Sequence, residues 1–139
     1  MISQTPLTIL LVDDSTSDRV LYRHFLSSTG TYTFLEAAIG EEGLRLCQTT
    51  PPDCLMLDFY LPDMDGFEFL DALPGETGSL PYPVVMLTGQ GSEQLAVQAM
   101  HRGVQDYVVK GDLSADILRR VIANAVDKFS LQQMLKQPT

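Results

Sequence analysis

Apolar runs of strand length end, one after another, in residues that can handle a phosphoryl group. Leu10-Leu11-Val12 leads into Asp13-Asp14, Cys54-Leu55-Met56-Leu57 into Asp58, Val84-Val85-Met86-Leu87 into Thr88, and Tyr107-Val108-Val109 into Lys110. Carboxylates gathered at one edge of a sheet repel one another and raise each other's pKa unless a hard cation neutralises them, so the pattern predicts Mg²⁺, with Mn²⁺ as the alternative. Three carboxylates, a hydroxyl and an ammonium suit phosphoryl handling: carboxylates hold the metal, one of them is the nucleophile, and Thr88 and Lys110 bind phosphoryl oxygens. Oxidation, hydride or acyl chemistry fits this set less well.

The elements that must position these residues are legible as five apolar runs, at 8–12, 33–37, 54–58, 83–88 and 106–109. Between them lie helical spacings: Val20, Leu21, Phe25 and Leu26; Leu95, Ala96, Ala99 and Met100; Ile117, Leu118, Val121, Ile122, Ala125 and Val126. Ser17 and Ser114 are expected as N-caps, Ser92 opens the fourth helix, and Gly30 and Gly103 stand where helix C-termini favour glycine. Asp63 and Asp65 are expected to shape a turn and cap the third helix at Gly66. Near-continuous apolar strands alternating with helices indicate a parallel sheet covered on both faces, with right-handed crossovers. Such sheets bind ligands beyond the carboxyl ends of the strands at the topological switch point, where Asp13, Asp14 and Asp58 fall. The Gly- and Pro-rich stretch 72–82 reads as a surface loop. After Val126 the apolar row changes face at Phe129, Leu131, Met134 and Leu135. The domain is therefore placed at 1–128, with 129–139 either a frayed end or the start of a helix leading into another domain.

Composition narrows the function. With 139 residues, 45% of them hydrophobic, the chain can bury one core without disulfides or a structural metal. Nine basic against eighteen acidic side chains give a formal charge of −9, which opposes direct binding to a nucleic-acid backbone or an anionic membrane. Cys47 and Cys54, with only His24 and His101 as co-ligands, have neither zinc spacing nor a disulfide framework and read as reduced core thiols. No apolar run approaches the ~18 residues of a membrane span, and the first basic side chain is Arg19, so a cytoplasmic location is expected. Neither histidine is placed for catalysis, and Arg19, Arg23, Arg102, Arg119 and Arg120 read as solvated helix faces.

Taken in order, Leu11-Val12-Asp13-Asp14-Ser15, Leu57-Asp58-Phe59-Tyr60-Leu61-Pro62-Asp63-Met64-Asp65-Gly66, Leu87-Thr88-Gly89 and Asp106-Tyr107-Val108-Val109-Lys110 resemble the receiver domain of two-component response regulators over 8–127. The Lys-Gly pair resembles a variant found in receivers linked to sensor proteins. The resemblance implies a flavodoxin-like, doubly wound five-stranded parallel sheet of order 2-1-3-4-5 with five helices. It implies that Asp58 accepts phosphoryl from a partner histidine kinase or phosphotransfer protein and loses it by hydrolysis, with no diffusible product of an enzyme's kind. Asp14 and Asp58 would contact Mg²⁺ directly, Asp13 through water, and the Tyr60 backbone carbonyl would add a ligand. Thr88 and Lys110 would bind the phosphoryl group, and Tyr107 would turn inward as Thr88 moves, remodelling the face of the fourth helix, fifth strand and fifth helix. That face is also where a homodimer would form; no motif names the kinase, the output domain or an effector protein. Tyr60 and Gln90 would tune hydrolysis, with Tyr60 as a shield.

Two departures from the family pattern carry expectations. Gly111 stands where a cis proline is common, and a cis bond before a non-proline costs about 3 to 4 kcal/mol, so a trans or mixed Lys110-Gly111 bond in a mobile loop is expected. Gly89 and Gly91 should loosen the loop after Thr88. The competing readings are a Mg²⁺-dependent phosphatase or phosphoryl-transfer enzyme, which needs a separate general acid, and a flavin or nucleotide carrier, for which the loop 13–17 lacks glycine.

Overall fold

A computed structural model describes residues 6–27, 31–75 and 79–136. Strands β1 (Leu7–Val12), β2 (Tyr32–Ala37), β3 (Cys54–Asp58), β4 (Val84–Thr88) and β5 (Asp106–Val109) alternate with helices α1 (Thr16–Ser27), α2 (Gly40–Thr49), α3 (Gly66–Asp71), α4 (Glu93–His101) and α5 (Ala115–Lys136). A single 3₁₀ turn, Lys110–Asp112, separates β5 from α5. The strands form one parallel sheet in the order 2-1-3-4-5.

The three inner strands are continuous apolar runs because both faces are covered. Leu10, Val12, Leu55, Leu57, Val84 and Met86 pack with Cys47 of α2, Phe67, Phe69 and Leu70 of α3 and Ala99 of α4. Their neighbours Ile9, Leu11, Met56, Val85 and Leu87 face the other way, onto Tyr22 and Leu26 of α1 and Leu118, Ile122 and Ala125 of α5. Register sets the functional edge. Val12 pairs with Leu57, so Asp13 stands level with Asp58; Asp58 pairs with Leu87 and Thr88 with Val109, so Thr88 and then Lys110 follow one step beyond.

Ser92 and Ser114 cap α4 and α5 as expected, accepting from Leu95 N at 3.0 Å and Ile117 N at 3.2 Å, and Gly103 ends α4 with φ 92°. Gly30 lies outside the described residues. Ser17 is not a cap. It sits inside α1, and Ser15 Oγ accepts from Asp18 N at 3.2 Å instead, because the chain turns into helix directly after the acidic pair. The inward row of α1 is also rotated from the expected one: Val20 and Leu21 are exposed at 49% and 43%, while Tyr22 and Leu26, four residues apart, are buried.

Asp65 caps α3 in a capping box with Glu68. Asp63 does not share that role. Its two oxygens accept from Gly40 N at 2.7 Å and Glu41 N at 2.9 Å, capping α2, whose own N-cap Ile39 has no side chain to offer. These backbone bonds hold the Asp63 carboxyl below its usual range. The described residues of 72–82 carry no helix or strand, and α5 runs unbroken past residue 128 to Lys136, with Leu131, Met134 and Leu135 exposed. Both cysteines are buried free thiols; burial pushes Cys54 up to about 12. Among the described residues no helix is long and apolar enough to cross a membrane.

Candidate functional site

Among the described residues the buried polar or charged side chains are Asp13, Asp58 and Thr88, all at the carboxyl edge of the sheet. Asp13, Asp14 and Asp58 each bring a carboxylate oxygen within 4.8 Å of the others, with Asp14 exposed to solvent. Hard oxygen donors in that number fit a divalent cation such as Mg²⁺. Lys110 reaches the same place: its Nζ lies 2.8 Å from Asp13 Oδ2, 3.2 Å from Asp58 Oδ2 and 2.9 Å from Asp18 Oδ2.

Each carboxylate is oriented by its surroundings. Asp13 Oδ1 accepts from Ser15 N at 2.9 Å and Oδ2 from the Tyr22 hydroxyl at 3.3 Å, while Arg19 donates to the Asp13 carbonyl. Asp58 Oδ1 accepts from Tyr60 N at 3.3 Å. Burial, and then the charge of Asp13, push the Asp58 carboxyl up to about 6, against the pull of Lys110. A cation at the cluster would relieve that penalty. Burial alone would lower the Lys110 ammonium, but its hydrogen bonds to Asp13 and Asp18 prevail and hold it well above the ordinary lysine value. Burial likewise raises the Tyr22 phenol.

The remaining expected residues form a second tier. Thr88 Oγ1 donates to the Gln90 carbonyl at 3.0 Å, so its hydroxyl is engaged with its own loop. The half-buried Tyr107 accepts from Ser92 N at 3.4 Å through its hydroxyl, which ties β5 to the first turn of α4. Gly89 and Gly91 differ in kind. A Cβ at Gly89 would meet nothing within 4 Å, whereas one at Gly91 would lie 2.6 Å from Val109 Cγ2. Gly91 thus serves close packing, whereas the space around Gly89 would admit a side chain. Tyr60 is 60% exposed and stands edge-on to Phe59, and Gln90 is exposed. No peptide bond among the described residues is cis, so Lys110-Gly111 is trans.

Sequence reasoning missed three contributors. Asp18 gave no signal beyond an acid in a first helical turn, which the helix dipole alone would explain. Tyr22 was legible only as a helix aromatic. Arg19, expected on a solvated face, has a side chain only 13% exposed, because it bridges Glu36 at 2.9 Å and the Asp13 carbonyl across the β1 and β2 ends. Arg102 likewise lies over the Phe67 ring at 4.2 Å and pairs with Asp71 at 3.3 Å, while Arg23 pairs with Glu36 and Arg119 with Asp116.

A doubly wound 2-1-3-4-5 sheet with an acidic cluster, a threonine and a lysine at its carboxyl edge defines the receiver class of signalling domain. The family model for the response regulator receiver domain matches residues 9–122, and the chain belongs to that family. It is 32% identical over 136 residues to the nitrate/nitrite response regulator protein NarL of Escherichia coli, covering 97% of this chain and 62% of that protein. To the regulatory protein LuxO of Vibrio cholerae it is 33% identical over 120 residues, 86% of this chain and 26% of the relative. The chain therefore spans less than two thirds of either protein. Among solved structures, the signal receiver domain of a LuxO repressor protein from Vibrio parahaemolyticus superposes with a TM-score of 0.82 at 28% identity, over 96% of this chain and 99% of that one. A CheY-like receiver domain protein from Methanospirillum hungatei gives 0.77 at 27%, over 94% and 99%.

Proposed function

We propose that this receiver takes a phosphoryl group on Asp58 from the phosphohistidine of a histidine kinase or phosphotransfer protein. The observation that carries the reading is a buried Asp58 carboxylate facing Asp13 and bonded to Lys110 at the mouth of the sheet. A carboxylate oxygen of Asp58 attacks phosphorus, the phosphorus–nitrogen bond breaks, and the imidazole leaves; water later attacks the acyl phosphate, freeing phosphate and the original carboxylate. The domain does no other chemistry, so it is a signalling module with its own phosphoryl gain and loss.

Asp14 and Asp58 would hold Mg²⁺ or Mn²⁺ directly, Asp13 through water, with the Tyr60 carbonyl as a further ligand; when bound, the ion neutralises the carboxylates and the incoming phosphoryl oxygens. Lys110 pairs with a phosphoryl oxygen, and Thr88 exchanges the Gln90 carbonyl for another. That exchange withdraws the loop that leads to Ser92 and releases Tyr107 to turn inward, so the face formed by α4, β5 and α5 changes. This face is the surface for an output domain, an effector or a homodimer, and α5 beyond residue 128 is the natural lead into a further domain. The site of action is the cytoplasm, where kinase partners present phosphohistidine.

The test is phosphoryl uptake from acetyl phosphate with Mg²⁺. One group should be incorporated, and Asp58→Asn should abolish it; incorporation by Asp58→Asn equal to that of the unaltered protein would overturn the assignment.

A further inference from the structure

Lys110 is held by three carboxylates, and one of them stands outside the cluster that suits a metal. Asp13 and Asp58 belong with Asp14 to the set whose oxygens converge within 4.8 Å; Asp18, 2.9 Å from Lys110 Nζ, does not. Asp18 comes from the first turn of α1, where Ser15 caps its backbone N–H and the positive end of the helix favours an acid. It is therefore presented by a rigid element. Lys110 is not: it opens a 3₁₀ turn in which Gly111 and Asp112 are exposed, and a Cβ at Gly111 would meet nothing within 4 Å. A lysine ammonium on a four-carbon stem has no preferred direction of its own, so something must aim it.

We propose that Asp18 is a positioning residue that holds the Lys110 ammonium over Asp58 while Asp13, Asp14 and Asp58 would turn to a divalent cation and the Asp58 carboxylate becomes an acyl phosphate. The proposal rests on the receiver reading above. A cation held by Asp14 and Asp58 directly and by Asp13 through water would weaken two of the three partners of Lys110 and repel the ammonium itself, whereas Asp18 would keep its full charge and its place. Lysine has three N–H donors; with one committed to Asp18, two remain for the phosphoryl group and its surroundings. Without Asp18 the ammonium, its stem unsupported by the loop, swings out to water.

Two measurements on the full chain decide this. The first uses the unphosphorylated protein with ¹⁵N-labelled lysine, where a side-chain ammonium is seen only when salt bridges slow its exchange with water. The Lys110 signal should persist on adding Mg²⁺ to the unaltered protein and vanish under the same conditions in Asp18→Asn. The second is the initial rate of phosphoryl uptake from acetyl phosphate, expected to fall about threefold to tenfold in Asp18→Asn, a range set by ordinary coupling energies between contacting residues. Asp127→Asn, which removes one exposed charge on α5, should leave that rate unchanged. A Lys110 signal that survives Mg²⁺ in Asp18→Asn, or an equal loss of rate in both variants, overturns the positioning role. Absence of Asp58-dependent uptake in the unaltered protein would instead sink the receiver reading, and the ammonium spectra would still decide whether Asp18 aims Lys110.

Discussion

A carboxylate that is buried beside another carboxylate stores an electrostatic cost, and Asp58 carries one. Its pKa of about 6 in the folded protein, against 3.8 for an ordinary aspartate, means that the unfolded chain holds fewer protons between those values. Stability from this group therefore rises as pH falls through about 6 and levels off below about 4, and at neutral pH the full penalty is present. Asp58→Asn should raise stability by about 1 to 2 kcal/mol at pH ~7, discounting for partial solvent screening, with the gain disappearing near pH ~4. Urea midpoints at the two pH values measure it, and Mg²⁺ should stabilise the unaltered protein but not the variant. On the proposed reading, Tyr60 would bear on the lifetime of the phosphorylated state rather than on stability. Its ring is exposed, edge-on to Phe59 and two residues past the acceptor, where it can overhang the approach of water. Tyr60→Ala should lose phosphoryl several-fold faster, and an unchanged or slower loss in a chase after removing the donor would show that the ring is no shield.

At the scale of elements, contacts far apart in sequence carry what local reading could not. The inner strands were legible because strands buried on both faces must be apolar throughout, and Ser92, Ser114 and Asp65 were legible because a cap acts within its own helix. Asp63 serves a helix that begins 23 residues earlier, and Asp18 meets a lysine 92 residues later, so neither role leaves a local pattern. Of the row expected on α1, Phe25 and Leu26 face the core, whereas Val20 and Leu21 are apolar yet face outward and Tyr22 takes the inward place. Asp63→Ala should cost about 1 kcal/mol, the ordinary value of an N-cap. Because the Asp63 pKa is depressed, its contribution is present at neutral pH and is lost as pH falls through the folded value, so the two proteins should converge in strongly acidic denaturation series. The β4–α4 loop gives a paired test. Gly91→Ala drives a Cβ into the stiff Val109 side chain and should cost about 1 to 3 kcal/mol, while Gly89→Ala, with open space around it, should be close to neutral. Equal effects of the two alanines on the urea midpoint would contradict the packing role of Gly91.

For the whole molecule, the arrangement joins the carboxyl edge of the sheet, where phosphorylation is proposed, to a surface on its flank. Thr88 is buried on β4 and bonds the loop before α4; Tyr107 on β5 bonds the backbone at Ser92, which caps α4. Anything that draws Thr88 toward Asp58 thus pulls on the start of α4 through two short connections, and α4 is held on the sheet by one fully buried residue, Ala99, and the partly buried Leu95. A helix so lightly anchored is the element that can shift at little cost. Its outer side shows Val97 and Met100, exposed at 56% and 46%, and a stable dimer needs about 1,200 to 2,000 Å² of total buried surface, more than those two residues supply alone. On the proposed reading, inward rotation of Tyr107 on phosphorylation would extend the patch by letting α4 settle against β5. The expected outcome is a protein that sediments as a monomer without phosphoryl and shifts toward dimer with it, and Val97→Glu should return the phosphorylated protein to monomer while leaving phosphoryl uptake intact. A phosphorylated protein that stays monomeric at high concentration would assign the face to a different partner, and a dimer that survives Val97→Glu would move the interface off α4.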